Sequence, residues 1–201
     1  MVKRIFDIGL SSLGLIGLSP LWLLFPLAIK LEDGGPIFYS QERVGRGGKI
    51  FKALKFRSMI KDAEKGIGPV QASENDPRVT KIGKILRATA MDELPQLINI
   101  LKGDMSFVGP RALRPKEKEV HGNPDETDIE KIPGYKERLA VRPGLTGMAQ
   151  VYLPTDALRK EKFKYDLLYI KNQSFPLDLK LIFLSFWITF RGRWESRSKK
   201  F

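Results

Sequence analysis

Two adjacent carboxylates, Asp92 and Glu93, are the side chains of this sequence best suited to carry out chemistry, because many cations surround them. The chain carries 35 Lys and Arg against 23 Asp and Glu, a net charge of +12 at pH 7. Such an excess favours anionic partners: nucleic acid, anionic lipid or phosphorylated metabolites. Paired carboxylates within a basic chain indicate a site for a metal ion and a phosphate.

The remaining residue types exclude several other kinds of active site. The chain has no Cys, which excludes disulfides and thiolate chemistry, and one His. His121 lies in a polar stretch that predicts a solvated loop, so neither a multi-His metal site nor a Ser-His-Asp triad is expected. A carboxylate can itself attack phosphorus and form an acyl phosphate, while Mg²⁺ neutralises the developing charge. Because Cys and His chemistry are excluded, Asp92 is the best available nucleophile.

The same carboxylates also fit an ordinary helix start. Asp92 before Pro95 would make a good N-cap, and Glu93 in the first turn would suit the helix dipole. Two neighbours strengthen the catalytic interpretation. Arg87 precedes the pair, and the turn Gly109-Pro110-Arg111 could present a guanidinium to a phosphate.

Lys55 and Arg57 form a second cationic pattern. In a strand, residues two apart point to the same side, so these two cations would share one face. That face is either a cradle for a diphosphate or a solvated strand surface.

Residues 5–29 form an apolar segment that predicts contact with a membrane. A straight helix of this length would run about 37 Å, enough to span a bilayer. Ser19-Pro20 in the middle interrupts the helical hydrogen bonds at a tolerable cost, and Pro26 interrupts them again. Basic residues flank the segment on both sides, which favours two cytoplasmic ends. The pattern predicts a re-entrant hairpin or a kinked transmembrane helix, with a buried core helix as a third alternative.

The rest of the chain predicts a mostly helical fold with a small β-hairpin. The hairpin comprises residues 36–44 and 49–56 around the turn Gly45-Arg46-Gly47-Gly48. Apolar periodicity and composition predict helices at residues 58–65, 80–90, 92–101, 157–172 and 177–190, with one helical turn near 116–120. Residues 66–77 are expected to form a polar loop, and 139–151 a loop or a strand.

The helix at 177–190 is apolar but too short to span a bilayer. Trp187, Trp194 and the basic residues after 190 favour an interfacial helix on anionic headgroups. The alternative is a core helix followed by a disordered basic tail.

Four motifs occur in order along the chain: residues 55–59 (KFRSM), 92–96 (DELPQ), 102–111 (KGDMSFVGPR) and 142–151 (RPGLTGMAQV). Together they resemble the bacterial sugar transferase family, the small monotopic phosphoglycosyl transferases, and the resemblance runs from about Lys3 to Phe190. One departure is Ala112, where the family often has a second Pro.

The resemblance implies a membrane enzyme that moves a sugar-1-phosphate from a UDP-sugar to polyprenol (undecaprenyl) phosphate and releases UMP, with Mg²⁺ as cofactor. It implies a monotopic protein of the minimal catalytic form, at the cytoplasmic face of the bacterial inner membrane, with a re-entrant helix bent at Ser19 and Pro20. The resemblance leaves open whether the protein forms a homo-oligomer and which sugar it transfers.

The resemblance also implies a role for each matching residue. Asp92 would be the nucleophile, and Glu93 would assist at the metal or as an acid/base, so that both carboxylates would contact Mg²⁺. Asp166 falls where the family has a further essential acid in substrate binding. The phosphates would be held by cations, namely Lys55, Arg57, Arg87 and Arg111.

The predicted fold class is α/β (α+β) in a single domain, residues 1–201, comprising a re-entrant membrane segment (1–30), a catalytic region (31–190) and a basic tail (191–201). Two other classes of protein compete. A nucleic-acid-binding protein is disfavoured because most aromatic residues fall in apolar runs and do not interleave with the cations. A non-enzymatic membrane scaffold would leave Asp92 and the turn at Arg111 without a role.

Overall fold

The structure is a computed structural model that describes residues 2–63, 76–119, 127–192 and 194. Its helices are α1 (Val2–Gly17), α2 (Leu21–Asp33), α3 (Lys81–Ala88), α4 (Gln96–Lys102), α5 (Tyr135–Arg138), α6 (Met148–Tyr152), α7 (Arg159–Lys171) and α8 (Phe175–Phe190). Its strands are β1 (Phe38–Val44), β2 (Ile50–Phe56), β3 (Ser106–Val108), β4 (Lys118–Glu119), β5 (Thr127–Asp128) and β6 (Gly144–Thr146). Helices and small sheets therefore coexist, as predicted.

The hairpin β1–β2 is confirmed, with antiparallel pairing from Phe38–Phe56 to Val44–Ile50. Helix α4 is fastened to β2 by the buried Asn99. Its side-chain oxygen accepts from the Leu54 amide at 2.9 Å, and its amide nitrogen donates to the Lys52 carbonyl at 2.8 Å. Asn99 thus provides hydrogen bonds to the edge of β2 as a neighbouring strand would.

A parallel pair, β3 with β6, brings two of the sequence motifs together. A Cβ on Gly109 would lie 2.3 Å from the Arg142 carbonyl, and one on Gly144 would lie 2.1 Å from the Gly109 amide nitrogen. Only glycine allows such a close approach of two backbones. The glycines of these motifs therefore set the backbone of Arg111, which forms a β-bridge with Gly144.

Helices α1 and α2 are bent by 62° relative to each other, and the break falls at Ser19 and Pro20, as predicted. By length and composition, no helix of the described residues could cross a bilayer alone, whereas α1 and α2 together could form a broken span or a re-entrant loop. Large exposed apolar side chains lie on α1, α2 and α8, among them Val2, Ile5, Leu13, Ile16, Leu23, Leu27, Leu31, Phe183, Phe186, Trp187 and Phe190.

Polar side chains fasten α1 to the rest of the fold. The buried Asp7 accepts from the Ser106 hydroxyl and the Phe107 amide, each at 3.1 Å. Lys3 donates to Asp178 of α8 at 2.6 Å. The first half of α1 therefore belongs to the same body as β3 and α8.

Several sequence predictions of helices were confirmed. Helix α3 falls within the predicted 80–90, with Thr80 as its N-cap, accepting from the Gly83 amide at 2.9 Å. Helices α7 and α8 match the predictions at 157–172 and 177–190. The basic tail at 191–201 lies outside the described residues apart from Arg191, Gly192 and Trp194.

Other predictions of local structure were wrong or incomplete. Over residues 58–63 Met59 forms a β-bridge with Val79 in place of the predicted helix, because long-range pairing overrides local propensity. Residues 64–65, and most of the loop predicted at 66–77, lie outside the described part. The predicted turn of helix near 116–120 is replaced by β4, as far as Glu119. Residues 139–151 hold β6 and most of the unpredicted helix α6.

The helix predicted at 92–101 is interrupted. A 3₁₀ turn at Met91–Glu93 precedes α4, and Pro95 serves as the N-cap of α4. Ala90, just before the turn, takes the left-handed conformation with φ of 54°. The interruption separates the two carboxylates from α4 and exposes their turn to the cleft described next.

Candidate active site

A cleft of about 630 Å³ opens beside the hairpin. The cleft is lined by all of the residues predicted for catalysis or substrate binding: Lys55, Arg57, Arg87, Asp92, Glu93, Arg111 and Asp166. They come from β2 and the residue after it, the last turn of α3, the 3₁₀ turn, the segment after β3, and α7. Residues far apart in sequence thus converge on one concave surface, the usual form of a ligand site.

The centre of the cleft wall is a group of four charged residues that we name the carboxylate cluster: Lys55, Asp92, Glu93 and Arg111. The Lys55 ammonium lies 2.6 Å from Glu93 Oε1 and 3.5 Å from Asp92 Oδ2. Arg111 Nη2 lies 3.2 Å from the same Glu93 oxygen. Both acidic residues are buried, while the Arg111 side chain is 42% exposed.

The charge state of Glu93 follows from its neighbours. Burial alone would raise the pKa of this carboxyl, but the charges of Lys55 and Arg111 and their hydrogen bonds outweigh burial and lower the pKa to about 2. Glu93 is therefore ionised at neutral pH, and it holds two cations at the cleft wall.

Asp92 and Glu93 are the carboxylates of the cluster that could hold a magnesium ion. One ammonium contacts both carboxylates, so the two groups lie close enough to share a cation. The described part of the chain has no group of three or more acidic or His side chains suited to a metal. Mg²⁺ commonly binds through one or two carboxylates together with substrate phosphates, so this donor set suits an ion completed by phosphate oxygens.

Arg57 lies at the cleft border, but its guanidinium is engaged elsewhere. It is buried and forms an ion pair with Asp33 at the end of α2, and its Nε donates to the Pro36 carbonyl at 2.6 Å. Strand β2 ends at Phe56, so the alternation that would place Arg57 beside Lys55 does not continue. The structure does not bring Arg57 into contact with the carboxylate cluster.

Asp166 likewise pairs with another side chain of the same protein. Its Oδ2 accepts from Nε of the buried Arg138 at 3.0 Å, and Arg138 Nη2 donates to the Arg111 carbonyl at 2.6 Å. Burial raises the pKa of Asp166 and lowers that of Arg138, while their mutual attraction opposes both shifts. Sequence reasoning missed Arg138. The available signal was its position three residues after the apolar Tyr135, on the same helix face.

Further cations that the sequence did not single out extend the basic lining. Arg43 of β1 donates to the Ala112 carbonyl at 3.0 Å, and burial lowers its pKa to about 10, which leaves it charged at neutral pH. Arg159 of α7 lies 2.5 Å from Glu117. Arg114 and Lys162 also line the cleft. The cleft is therefore suited to a ligand with more than one anionic group.

The chain is similar to known proteins over most of its length. The model of the family described as bacterial sugar transferase matches residues 1–192. The chain belongs to this family. A UDP-glucose:undecaprenyl-phosphate glucose-1-phosphate transferase of Klebsiella pneumoniae is 45% identical over 188 residues. The exopolysaccharide production protein PSS of Rhizobium leguminosarum bv. phaseoli is 43% identical over 188 residues.

A third relative acts on a different sugar. A UDP-N-acetylgalactosamine-undecaprenyl-phosphate N-acetylgalactosaminephosphotransferase of Aeromonas hydrophila is 42% identical over 185 residues, 90% of this chain and 42% of that protein. The alignment with the Klebsiella protein covers 91% of this chain and 39% of the relative. That with the Rhizobium protein covers 91% and 92%. The chain thus spans about two fifths of the length of two relatives and nearly all of the third.

Proposed function

We propose that this protein transfers a sugar-1-phosphate from a UDP-sugar to polyprenol phosphate and releases UMP. The carboxylate cluster is the observation that carries the proposal. It presents two carboxylates and two cations at one wall of a basic cleft. Family membership and the activities named for the Klebsiella and Aeromonas relatives support the same reaction.

We propose two successive displacements at one phosphorus atom. A carboxylate oxygen of Asp92 attacks the β-phosphorus of the UDP-sugar, the bond from that phosphorus to the bridging oxygen breaks, and UMP leaves with the oxygen. An oxygen of polyprenol phosphate then attacks the phosphorus of the acyl phosphate. The bond to Asp92 breaks, the carboxylate is restored, and the product is a polyprenol diphosphate sugar. A direct attack by polyprenol phosphate, in a ternary complex, is the competing mechanism.

The other residues of the cleft bind and orient the phosphates. Lys55 and Arg111 neutralise the charge of Glu93 and also face the phosphates, and Arg87 adds a third cation from α3. Mg²⁺, held by Asp92 and Glu93, would stabilise negative charge on the phosphate oxygens.

We further propose that the protein acts at the cytoplasmic face of the bacterial inner membrane, where a soluble donor meets an acceptor confined to the bilayer. Helices α1 and α2 would enter the membrane as a re-entrant pair, and α8 would lie at the interface on anionic lipids. The exposed apolar side chains of these three helices support this placement.

The decisive experiment is a UMP-release assay with detergent-solubilised protein, Mg²⁺ and a panel of UDP-sugars, with and without undecaprenyl phosphate. UDP-glucose and UDP-N-acetylgalactosamine come first, because the relatives named above use these two sugars. Turnover of one donor that depends on the acceptor supports the proposal. Folded protein that releases no UMP from any donor contradicts it.

The covalent intermediate has its own test. Asp92→Asn should abolish UMP release even without acceptor, and wild-type protein should form about one UMP per chain under those conditions. UMP release by Asp92→Asn at the wild-type rate would remove Asp92 as the nucleophile. A wild-type enzyme that releases UMP only when the acceptor is present would favour the ternary complex.

A further inference from the structure

We infer that Arg138 is a positioning residue that fixes Arg111 in the cleft, and that Asp166 acts through Arg138 without touching the substrate. The inference rests on the proposed function for its activity readout. It replaces the expectation that Asp166 binds the substrate directly, and it gives a role to a buried arginine that sequence reasoning missed.

The contacts of Arg138 join two parts of the cleft. Its Nε and Nη2 each lie 3.0 Å from Asp166 Oδ2 on α7, and Nη2 also donates to the Arg111 carbonyl at 2.6 Å. Its guanidinium carbon lies 4.7 Å from the centre of the buried Phe163 ring. The Arg138 side chain is only 3% exposed, so protein atoms fix its orientation on several sides.

Arg111 needs such a restraint because its own side chain is the least buried of the carboxylate cluster, at 42% exposure. Its backbone is held by the β-bridge to Gly144, whose amide donates to the Pro110 carbonyl at 2.9 Å, and by Arg138. A displacement of a catalytic group by about 1 Å can cost on the order of 10²-fold in rate. A backbone restraint on Arg111 therefore has a direct consequence for its contact with Glu93 and the phosphates.

The burial of Asp166 favours an indirect role. Its side chain is 3% exposed, and Oδ2 already accepts from Arg138. Its Oδ1 is also buried and has no hydrogen-bond partner among the described residues. Asp166 therefore borders the cleft with only a small part of its surface, whereas its carboxylate depends on the guanidinium beside it.

A double-mutant cycle tests the inference. In Arg138→Lys a single ammonium cannot reproduce the fork that reaches both Asp166 and the Arg111 carbonyl, so UMP release should fall by on the order of 10²-fold. If Arg138 acts through Arg111, adding Arg138→Lys to Arg111→Ala should cause no further loss. A double variant whose losses multiply would overturn the inference.

Asp166→Asn provides a second cycle with a substitution of equal size. Its amide oxygen can still accept from Arg138, so we expect a smaller loss than for Arg138→Lys, and again no further loss in the Arg111→Ala background. Losses that multiply here would mean that Asp166 acts on the substrate itself. Either result is decisive for Asp166.

Arg4→Lys is the matched control. Arg4 also donates to backbone carbonyls, those of Ile100 and Leu101 at 2.5 and 2.8 Å, but it does not line the cleft. Arg4→Lys should lower the temperature of unfolding. Any effect it has on UMP release should be the same with Arg111 and in the Arg111→Ala background. A loss of UMP release in Arg4→Lys as large as in Arg138→Lys would show a general structural effect and contradict the specific role.

Hydrogen exchange gives a readout that does not need the reaction. The Gly144 amide donates to the Pro110 carbonyl, and the Val44 amide donates to the Leu113 carbonyl at 2.8 Å. Arg138→Lys should speed exchange of both amides, and Arg4→Lys should not. Unchanged exchange in Arg138→Lys overturns the inference. If wild-type protein released no UMP, the proposed function would fail, and exchange alone would decide the role of Arg138.

Discussion

Lys55 and Arg57 lie two residues apart at the end of β2, and each forms an ion pair with a carboxylate. The two ion pairs differ in which partner is exposed to solvent. In the carboxylate cluster the acids are buried and the cations more exposed: Glu93 is 8% exposed, Lys55 20%. In the pair formed by Arg57 and Asp33 the order is reversed, with 7% for the arginine and 31% for the acid. The first arrangement presents positive charge to a ligand, and the second hides it.

Asp33 and Arg57 belong to what we name the helix junction, where α2, the end of β2 and α3 meet: Glu32, Asp33, Arg57, Ser58 and Gly83. Glu32 accepts from the Lys81 amide at 2.6 Å and the Ile82 amide at 3.2 Å, which caps the start of α3. A Cβ on Gly83 would lie 2.0 Å from the Ser58 carbonyl oxygen. The junction therefore docks α3, whose last turn brings Arg87 to the cleft. An ion pair with an exposed cation can bind an anionic ligand, whereas an ion pair with a buried cation holds elements of the fold together.

Between the cluster and the junction, the largest expected effect is that of Lys55→Gln. Lys55→Gln removes the ammonium between the two carboxylates, so UMP release should fall by about 10²- to 10³-fold. Lys52→Gln, an exposed cation on the same strand, is the control and should change the rate little. Initial rates at saturating donor measure both. Equal rates for the two variants would mean that the Lys55 ammonium has no special role in the reaction.

Gly83→Ala tests how tightly α3 is docked. The added methyl group meets the Ser58 backbone, which cannot rotate away, so the free energy of unfolding should fall by about 3 kcal/mol. Gly9→Ala in α1, with no atom within 4 Å of its Cβ, should be neutral or slightly stabilising. Chemical denaturation compares the two. A neutral Gly83→Ala would mean that α3 is free to shift.

Arg57→Gln should separate stability from rate. It removes the pair with Asp33 and the bond to the Pro36 carbonyl, which should lower the free energy of unfolding by about 2 kcal/mol, since Asp33 is partly exposed. The rate of UMP release by the remaining folded protein should stay within about threefold of wild type. A rate loss as large as that of Lys55→Gln, with stability kept, would return Arg57 to the substrate-binding residues.

The smallest effect is one of pH. Because the folded-state pKa of Glu93 lies near 2 and its ordinary value is 4.5, its ion pairs stabilise the protein above about pH 4.5. That contribution is lost as the pH falls from 4.5 towards 2. Glu93→Gln should therefore show a shallower loss of stability across this interval. Unfolding temperatures measured from pH 7 to pH 3 give both slopes, and parallel curves would contradict the lowered pKa.

Local patterns predicted the elements whose contacts are local. The glycines at 45–48 predicted the hairpin, and apolar periodicity and composition predicted α3, α7 and α8. The pairing of β3 with β6 and the bridge between Met59 and Val79 were not predicted, because such contacts join segments without local periodicity. The same holds for the break before α4, where the chain turns to present Asp92.

The site was predictable by residue type but not by partner. The motifs supplied Lys55, Arg57, Asp92, Glu93 and Arg111, and the structure gathers them at one cleft. That Lys55 would pair with Glu93 while Arg57 pairs with Asp33 depends on where β2 ends and α2 stops. The contact of Arg138 with Asp166 and Arg111 joins three segments, and the spacing of Arg138 from Tyr135 indicates a shared helix face but neither of these partners.

The polar contacts of α1 also constrain the order of events during synthesis. Lys3 and Asp7 are made early, but Asp178 follows Lys3 by 175 residues and Ser106 follows Asp7 by 99. At roughly 5 to 20 residues per second, the ion pair of Lys3 waits on the order of ten seconds or more for its partner. The polar contacts that hold α1 to the rest of the fold are therefore complete only after α8 has been synthesised.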